Sequence, residues 1–468
     1  MKDHRSITRL LSLIALAVAL AIVPESGAQT IADASQPSSS TQSKIAQPSA
    51  SDLASRIDDL EKQIVSLRGQ LAAQKTEAAV VADVPAQAAT STTAPAAAPA
   101  PPTLGGLLGP TTLSGFVDVY YGYNANQPAN RNTSLRNFDV QSGQFGLNMI
   151  ELVADKSPDP AASHVGYHVA LGFGQAINLI NASEPAAPAA AAASGTETNF
   201  DQYLKEGYLE YLAGKKLQIN FGKFVTPAGA EVIESKDNWN YSRGDLFALA
   251  IPYFHFGVSA KYTFNPKFAL TGYLVNGWNN SIDNNSGKTT GFSAAWTPNA
   301  KFSLTQNYLV GPEQFNNSSD FRHLFDTVVS YNATPKLSFL GNFDYGHDDA
   351  PGAIVATPNV VSGVWWSGVA GYVKYAPNAN WYWAARGEYY NDHNGFTTGT
   401  LGTPDHLSEF TFTLQRLLAS KIMARAEYRY DHSDQNVFAY RANQFGPIDH
   451  QNTITIGMIY AFSSADAK

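Results

Sequence analysis

The sequence predicts an all-β fold, a transmembrane antiparallel β-barrel of about sixteen strands that follows a short coiled-coil helix and an Ala/Pro-rich linker. The first observation is the strict alternation of residues 453–462, which places an apolar row on one face and small or polar residues on the other. This alternation recurs from about residue 111 onward. The second observation is that short and long connections alternate between the candidate strands, as they do in outer-membrane barrels.

The N-terminus has the pattern of an export signal, residues 1–28. A basic start precedes the apolar run 10–23, and the small residues 26–28 form a cleavage site. The apolar run is shorter than the roughly 20 residues that a membrane-spanning helix needs. We therefore expect export across the inner membrane, and membrane insertion of the mature chain must come from strands.

Three segments separate this signal from the barrel. Residues 29–50 are rich in Ser, Gln and Ala and are predicted to be a disordered leader. Residues 51–76 repeat apolar residues at spacings of three and four, which predicts either a coiled-coil stalk for oligomerisation or an isolated amphipathic helix. The apolar residues are Leu53, Ile57, Leu60, Ile64, Leu67 and Leu71. Residues 77–109 form the Ala/Pro-rich linker, whose composition is extended and semi-stiff.

Residues 110–462 are the predicted barrel, and residues 463–468 are a C-terminal tail. In the segment 425–429, charged residues alternate with alanine and tyrosine, so one face is charged and the other is apolar. Lipid outside the wall and water inside it would suit both faces. The segment 145–155 does not keep one parity throughout, which predicts a β-bulge.

The connections give an independent test of this topology. Short links are predicted near residues 213–214, 265–266, 298–299, 334–335, 377–378 and 419–420. They alternate with long loops near 125–141, 176–199, 225–253, 279–287, 312–320, 347–363, 391–404 and 433–450. With the N-terminus in the periplasm, every short link lies on the periplasmic side and every long loop lies outside the cell.

The composition limits the chemistry that the chain can perform. There is no cysteine, so thiol catalysis and thiolate metal sites are excluded. The formal net charge of −8 argues against nucleic acid as a partner. We expect no cofactor, no metal site and no enzymatic activity. A hydrolase or a weak divalent-ion site would depend on histidines beside aspartates, such as His347 and His393, which lack a serine motif or a known metal-ligand spacing.

The loop at residues 225–254 combines charges of both signs with aromatic rings. A loop of this length is functional or disordered, and its bulky side chains argue for order. We expect it to fold into the barrel and constrict the pore; the alternative is packing on the rim or at a subunit contact. The candidate constriction residues are Glu231, Glu234, Lys236, Asp237, Arg243 and Asp245.

Strand parity assigns a second set of charged residues to the wall of the lumen. These candidate pore-lining residues are Lys223, Lys261, Arg386, Glu388, Arg425, Glu427 and Arg429. Because the two signs alternate, ion pairs that only shape the wall are the alternative to a role in conduction. A sugar-like channel would instead present aromatic rings along the lumen, with Tyr120, Trp239, Tyr241 and Trp278 as candidates.

Residues 221–258 (FGKFVTPAGAEVIESKDNWNYSRGDLFALAIPYFHFGV), together with the segment VNGW at 275–278, resemble the OmpL-like β-barrel porins of Gram-negative bacteria. The GKF-TP-G-E run, followed by N-NYSR and P-FH-GV, carries the resemblance, which extends over roughly 110–462. It implies an outer-membrane porin fold with poorly defined substrates. It offers no catalytic residue to transfer to this chain.

These patterns together predict a porin. Barrels of sixteen to eighteen strands leave an aqueous channel. We expect passive diffusion of small hydrophilic solutes or ions through the barrel. The barrel is expected to form a homo-oligomer, such as a trimer, and to be surrounded by lipid in the outer membrane of a Gram-negative bacterium. One alternative is a tether, in which the stalk and linker contact the cell wall. Another is a substrate-specific, sugar-like channel.

Overall fold

The computed structural model describes residues 109–183, 201–349, 363–400, 403–419, 421–441 and 446–467. The strands in these ranges are Thr112–Asn124 (β1), Gln144–Lys156 (β2), Val165–Phe173 (β3), Leu204–Ala213 (β4), Leu217–Val225 (β5), Phe254–Asn265 (β6), Phe268–Val275 (β7), Thr289–Asn299 (β8), Phe302–Gln314 (β9), Asn317–Thr334 (β10), Leu337–Asp348 (β11), Val364–Asn378 (β12), Trp381–Asp392 (β13), Asp405–Leu418 (β14), Ile422–Ser433 (β15) and His450–Ser463 (β16). Each strand pairs antiparallel with its chain neighbours, and β1 pairs with β16 to close the barrel. The predicted fold class is confirmed.

The alternation in the sequence separates an outer and an inner face of this wall. Along β1, Val119 is 41% exposed, whereas Asp118 and Tyr120 on either side are 0% and 2% exposed. Exposed apolar side chains continue around the barrel on the outer face, including Leu209, Phe221, Leu274, Phe292, Phe343, Val369, Phe410 and Met458. The outer face therefore has the apolar band of a lipid-facing surface, while the inner face carries the polar and charged residues.

The bulge predicted in the second strand is confirmed. Asp118 pairs with Met149, whereas the next residue, Val119, pairs with Leu147. Asn148 is left between the two pairs, and its side-chain nitrogen donates a hydrogen bond to the Asp118 carboxylate at 2.5 Å. The extra residue thus gives the inner face of β1 a local polar partner.

Apart from the link 157–164 between β2 and β3, connections at one end of the barrel are short, as predicted, with two residues at 266–267 and two at 300–301. Most connections at the other end are long. The long loop predicted near 312–320 is wrong, because β9 continues to Gln314 and β10 begins at Asn317. Asn316 adopts a φ of 54°, which permits this tight hairpin, and asparagine tolerates that conformation better than most residues.

One α-helix, Gln175–Ala182 (α1), follows β3 within the described ranges. Its buried Ile177 lies against Gly172 of β3, where a Cβ atom would be 2.4 Å from the isoleucine side chain. No helix in the described part of the chain has the length and hydrophobicity that a bilayer crossing requires. The predicted signal, leader, coiled coil and almost all of the linker lie outside the described residues. After β16, residues 464–467 form a short 3-10 helix.

Candidate functional site

The connection between β5 and β6, residues 226–253, is called loop 3 below and lies inside the barrel. On one side, Asn307 of β9 donates a hydrogen bond to the Pro227 carbonyl oxygen at 3.0 Å. On the other side, the Tyr241 hydroxyl donates to Asp118 of β1 at 2.8 Å. β1 and β9 are eight strand pairings apart in both directions around the ring. Loop 3 therefore spans the bore of the barrel.

Local contacts give loop 3 a defined shape. It contains a 3-10 turn, Ser235–Asp237, and a π-helical turn, Leu246–Ala250. Between them the Asn238 side chain accepts a hydrogen bond from the Val232 backbone N–H at 2.9 Å and donates to its carbonyl oxygen at 2.7 Å. Gly229 has a φ of 97°, a conformation that favours glycine. The loop is thus an ordered element held partly by its own polar groups.

A buried arginine on β13 fixes the middle of loop 3. The Arg386 guanidinium donates to Glu231 at 2.6 Å and to the Ser242 carbonyl oxygen at 2.7 Å, both in loop 3. Its Nε donates to Glu409 on β14 at 2.6 Å. Arg386 is only 1% exposed. Because a buried charge is stable only when it is paired and hydrogen-bonded, these contacts couple the loop to the wall.

Strand β15 holds the backbone of loop 3. Arg425 donates to the carbonyl oxygens of Ser235 at 2.5 Å and Asn238 at 2.9 Å. Two residues along the strand, Glu427 accepts the backbone N–H groups of residues 241–242 at 2.5 and 2.9 Å. A cation therefore binds carbonyl groups and an anion binds N–H groups, so both side chains are charge-complementary to the backbone that they contact.

Loop 1, residues 125–143, also reaches the bore and supports loop 3. The Arg243 guanidinium of loop 3 lies 4.4 Å from the centre of the Phe138 ring. Next to it, the Asn137 side chain donates to the Tyr253 hydroxyl at 2.6 Å. Stacking of a cation on an aromatic ring is favourable, and more so where water is excluded. Loop 3 is thus enclosed by a second loop as well as by the wall.

Asp245 provides a further link between loop 3 and β15. Its carboxylate accepts a hydrogen bond from Arg429 at 2.6 Å, and its backbone N–H donates to Glu388. Burial raises the pKa of the Asp245 carboxyl to about 6, although the charge of Arg429 opposes this shift. Glu388 itself has one buried carboxylate oxygen without a partner among the described residues. Arg429 is therefore the cation that stabilises the buried Asp245 carboxylate at this contact.

The predicted constriction residues separate into two groups. Glu231, Arg243 and Asp245 are 2–5% exposed, and Glu234 is 9% exposed and bonded to Lys205. These four side chains hold the loop in place. The other two residues are Lys236 and Asp237, which form an ion pair at 2.5 Å and have side chains that are 25% and 55% exposed.

Lys236 lies in the part of loop 3 that points toward the short-turn end of the barrel. Its ammonium group lies 5.5 Å from the centre of the Phe116 ring. It lines a cavity of about 220 Å³ with the first residues of β1 and with Ala461–Ser463 at the end of β16. Loop 3 therefore extends along most of the barrel axis, in addition to crossing the bore.

The predicted pore-lining residues also separate. Arg386, Glu388, Arg425, Glu427 and Arg429 share the inner face of β13 and β15 and are at most 6% exposed beneath loop 3. Lys261 lies on the inner face of β6 and is exposed. Lys223 has the parity of Phe221, which is 59% exposed on the outer face. Its ammonium group is enclosed by Asp201, which accepts a hydrogen bond at 2.6 Å, and by the Phe254 ring.

The inner wall is asymmetric in its access to solvent. On β5, β7 and β8, the inner-face residues Asn220, Thr271 and Ser293 are half-buried. On β14, directly under loop 3, Thr411 and Thr413 are 0% exposed. Loop 3 thus covers the β13–β16 side of the lumen, and polar groups on the β5–β8 side keep contact with solvent.

Most of the aromatic residues proposed for sugar stacking lack a free ring face. Tyr120 and Tyr241 are 2% and 0% exposed, and their ring centres lie 5.9 Å apart. Trp239 lies under the Lys374 ammonium group at 4.6 Å. Trp278 is half-buried, with the Arg322 guanidinium 5.0 Å from its ring centre. Cations or other rings therefore cover the surfaces that a sugar would need.

In both histidine–aspartate pairs, the aspartate of the strand has partners other than the histidine. Asp348 binds Arg322 on the inner face of the wall, whereas His347 lies on the outer face, 3.4 Å from Asp349. Asp392 accepts the backbone N–H of Thr397 at 2.7 Å. No group of three or more His, Asp or Glu side chains in the described ranges could hold a metal ion.

Sequence reasoning missed one contributor, Lys205. Its ammonium group contacts Glu234 of loop 3 and Glu151 of β2, the latter at 2.5 Å. In the β3–β4 pairing, Ala170 faces Glu206 and Leu171 faces Leu204, so Lys205 is the extra residue of a bulge. Parity counting fails at a bulge, and no local sequence signal identified this one.

Gly457 on β16 lies against loop 3, where a Cβ atom would be 2.4 Å from the Tyr241 ring. We expect Gly457→Val to displace this part of the loop, raise single-channel conductance and lower the free energy of unfolding by about 1–3 kcal/mol through overpacking. Gly371→Val is the matched control, because nothing lies within 4 Å of a Cβ at that position. Equal conductance and stability in the two variants would show that the Tyr241 contact does not hold the loop.

The chain is similar to known β-barrel proteins in sequence and in fold. The family described as "Putative beta-barrel porin-2, OmpL-like" matches residues 110–462. The OmpT outer-membrane protein of Vibrio cholerae has a TM-score of 0.48 and 12% identity, covering 75% of this chain and 97% of that chain. The Salmonella typhi OmpF complex with daunomycin has a TM-score of 0.49 and 11% identity, covering 75% and 97%. For the anion-selective porin from Comamonas acidovorans the values are 0.47 and 11%, covering 75% and 99%. No curated protein matches the sequence.

Proposed function

The chain belongs to the OmpL-like family of β-barrel porins, and we propose that it conducts small hydrophilic solutes or ions passively across the outer membrane of a Gram-negative bacterium. A barrel of sixteen strands is wide enough to enclose water. The apolar outer face suits lipid, and the charged inner face suits an aqueous lumen. The proposed assembly is a homo-oligomer, such as a trimer, embedded in outer-membrane lipid.

The position of loop 3 is the observation on which the proposed mechanism depends. The loop extends from β9 to β1 and covers the inner faces of β13–β16. We propose that it constricts the lumen and that solutes pass along the β5–β8 side, where polar side chains remain half-exposed. Selectivity would then depend on the width of this passage and on the few charges that border it.

Planar-bilayer recording from the purified, refolded barrel tests the proposal. We expect discrete current steps whose size rises with salt concentration, and swelling of liposomes in solutions of small sugars or amino acids. A properly folded barrel that inserts into the bilayer but passes no current would contradict the channel. A protein that stays monodisperse in buffer without detergent would contradict the membrane assignment.

Lys261 is the exposed cation on the inner face of β6, and it faces Thr271 across the β6–β7 pair. Lys261→Glu should raise the cation-to-anion permeability ratio about twofold, because the lining charge of the passage changes sign. The measurement is the reversal potential in a salt gradient. Lys301→Glu makes the same charge change in the turn between β8 and β9. If both variants shift the reversal potential equally, the electrostatic potential at the channel mouth sets the selectivity. The proposed path along β6 would then be wrong.

The tether alternative depends on residues 29–109, almost all outside the described ranges, so it stays a prediction from the sequence. Deletion of 29–103 separates it from the channel. Loss of envelope attachment with unchanged conductance would show two independent functions. Unchanged attachment would remove the argument for a cell-wall contact.

A further inference from the structure

Six of the ten histidines lie along one half of the outer rim, at the long-loop end of the barrel. They are His323, His347, His393, His406, His432 and His450, which we call the histidine belt. Five of them lie on β10, β11, β14, β15 and β16, and His393 directly follows the end of β13, so the belt runs along adjacent strands of the ring. On β12 the place is taken by Trp365, which pairs with His347 and stacks on His393 at 4.6 Å.

Register places the members of the belt beside one another. His323 pairs with His347 across β10 and β11, and His432 pairs with His450 across β15 and β16. His406 pairs with Asn391, two residues before His393. Side chains that face each other across antiparallel strands have Cβ atoms about 5 Å apart. The belt is therefore a continuous surface and not a set of separate side chains.

Parity places the belt on the lipid-facing side of the wall. His347 follows Phe343 and Tyr345 on the same face, and these two rings are 47% and 36% exposed. His406 shares its face with Phe410, which is 49% exposed. The side chains of His347, His406 and His450 are 34%, 33% and 45% exposed. At the end of an apolar band, this is the level at which aromatic belts meet lipid head groups.

The belt histidines form two sets, those that pair with an aspartate and those that do not. Among the described residues, His347 pairs with Asp349 at 3.4 Å, His406 with Asp434 at 2.6 Å, and His450 with Asp449 at 2.7 Å. Asp449 also interacts electrostatically with His432. The hydrogen bond from the His450 imidazole lowers the pKa of the Asp449 carboxyl.

The other ring and hydroxyl contacts of the belt, within the described ranges, are with uncharged side chains. The Tyr308 hydroxyl lies 2.8 Å from His323 Nδ1, and His393 stacks on the Trp365 ring. Tyr389 and Tyr430 lie beside His406 and His450, with ring centres 6.3 Å apart in each case. Three aspartates therefore face six imidazoles, so full protonation gives the belt a net positive charge.

We propose that the histidine belt, when protonated, binds the phosphate groups of anionic lipids in the outer leaflet. When the belt is protonated, its six imidazolium groups outnumber the three aspartates, so the rim is cationic. Clusters of cationic side chains at this depth attract anionic head groups. Protonated imidazole also donates hydrogen bonds from both nitrogens, and phosphate oxygens are strong acceptors. The proposal rests on the outer-membrane location proposed above.

Native mass spectrometry of the intact protein in detergent tests the proposal, after incubation with phosphatidylcholine containing phosphatidic acid. Wild type should retain at least about tenfold more phosphatidic acid at about pH 5.5 than at about pH 7.5. Replacement of all six belt histidines by glutamine should abolish the difference. His323→Gln/His393→Gln/His432→Gln, which leaves the three aspartate-paired histidines, should reduce it. His164→Gln, in the turn before β3, is the control and should leave it unchanged.

Several results would overturn the proposal. Two of them are equal retention of phosphatidic acid at both pH values and equal retention by wild type and the six-glutamine variant. A third is complete displacement of the lipid by inorganic phosphate at the same concentration, which would indicate a site for the free anion. If wild type is an oligomer and the six-glutamine variant is a monomer that retains the same amount of lipid, a second copy of the chain covers the belt. Conductance recorded on the same samples tests the channel separately.

Discussion

Replacing residues 231–248 of loop 3 with a short Gly-Ser link is expected to raise single-channel conductance at least about twofold. Loop 3, of which this segment is the central part, spans the bore from β9 to Asp118 on β1, and the segment itself extends to the cavity lined by Lys236. Its removal would open the covered half of the lumen, where the charged residues of β13–β15 would become hydrated. Current through a water-filled pore rises with its open cross-section.

The two cut ends favour a simple join. The Ala230 N–H donates to Asn342 on β11 at 2.7 Å, and the Ala250 carbonyl oxygen accepts from Trp366 on β12 at 3.0 Å. These strands are neighbours, so a few flexible residues can connect the ends without moving the wall.

The same deletion should change selectivity. It removes four carboxylates and two cations, so the lumen becomes more positive by two charges. We therefore expect the reversal potential to shift toward anions. Deletion of 185–193, which contains only alanine and proline, is the control for shortening a long loop. Unchanged conductance in the loop 3 variant would mean that the narrowest point lies elsewhere.

Arg386→Ala is expected to lower the free energy of unfolding by about 3–5 kcal/mol, measured by denaturant titration in detergent. The guanidinium contacts Glu231 and Glu409, both at 2.6 Å, and the Ser242 carbonyl oxygen at 2.7 Å. Without it, Glu231 and Glu409 would remain buried near Glu388, and Arg429, 3.5 Å from Glu409, would be the neighbouring cation. Loop 3 should also loosen, so open-channel current noise should increase.

A double variant separates pairing from packing. Adding Glu231→Gln to Arg386→Ala should recover part of the lost stability, because it removes one uncompensated buried charge. Arg416→Ala is the control, since that guanidinium lies 5.2 Å from the Trp381 ring centre and shares the outer face of β14 with the exposed Phe410 and Phe412. A loss below about 1 kcal/mol for Arg386→Ala would place this contact in the range of weak surface pairs.

The sequence was sufficient to predict the wall, because alternation with period two is a local property. It also indicated an ordered loop near 225–254, since rings and charges of both signs do not suit a disordered segment. The partners of that loop could not be predicted. Glu427, for example, accepts from Tyr241, which lies 186 residues earlier in the chain, and no local pattern encodes such a contact.

Parity contained more information than sequence reasoning extracted. Lys223 lies two residues after the exposed Phe221, which already places it on the outer face. The belt histidines likewise follow outward-facing aromatic residues at even spacing, as His432 follows Tyr428 and Tyr430. The hairpin at Phe315–Asn316 was missed for another reason, because polar residues such as Ser318 and Ser319 extend the strand beyond the membrane.

The long chain separation between loop 3 and its contacts on β15 implies an order of assembly. Arg425 and Arg429 are synthesised and paired near the end of the chain, 184–190 residues after their partners. Until the last hairpin joins β1, the segment that later fills the centre lacks its contacts with β15 and β16. The newly closed cylinder should therefore pass through a wide, leaky intermediate, and seating of the inner segment should be the final event of maturation.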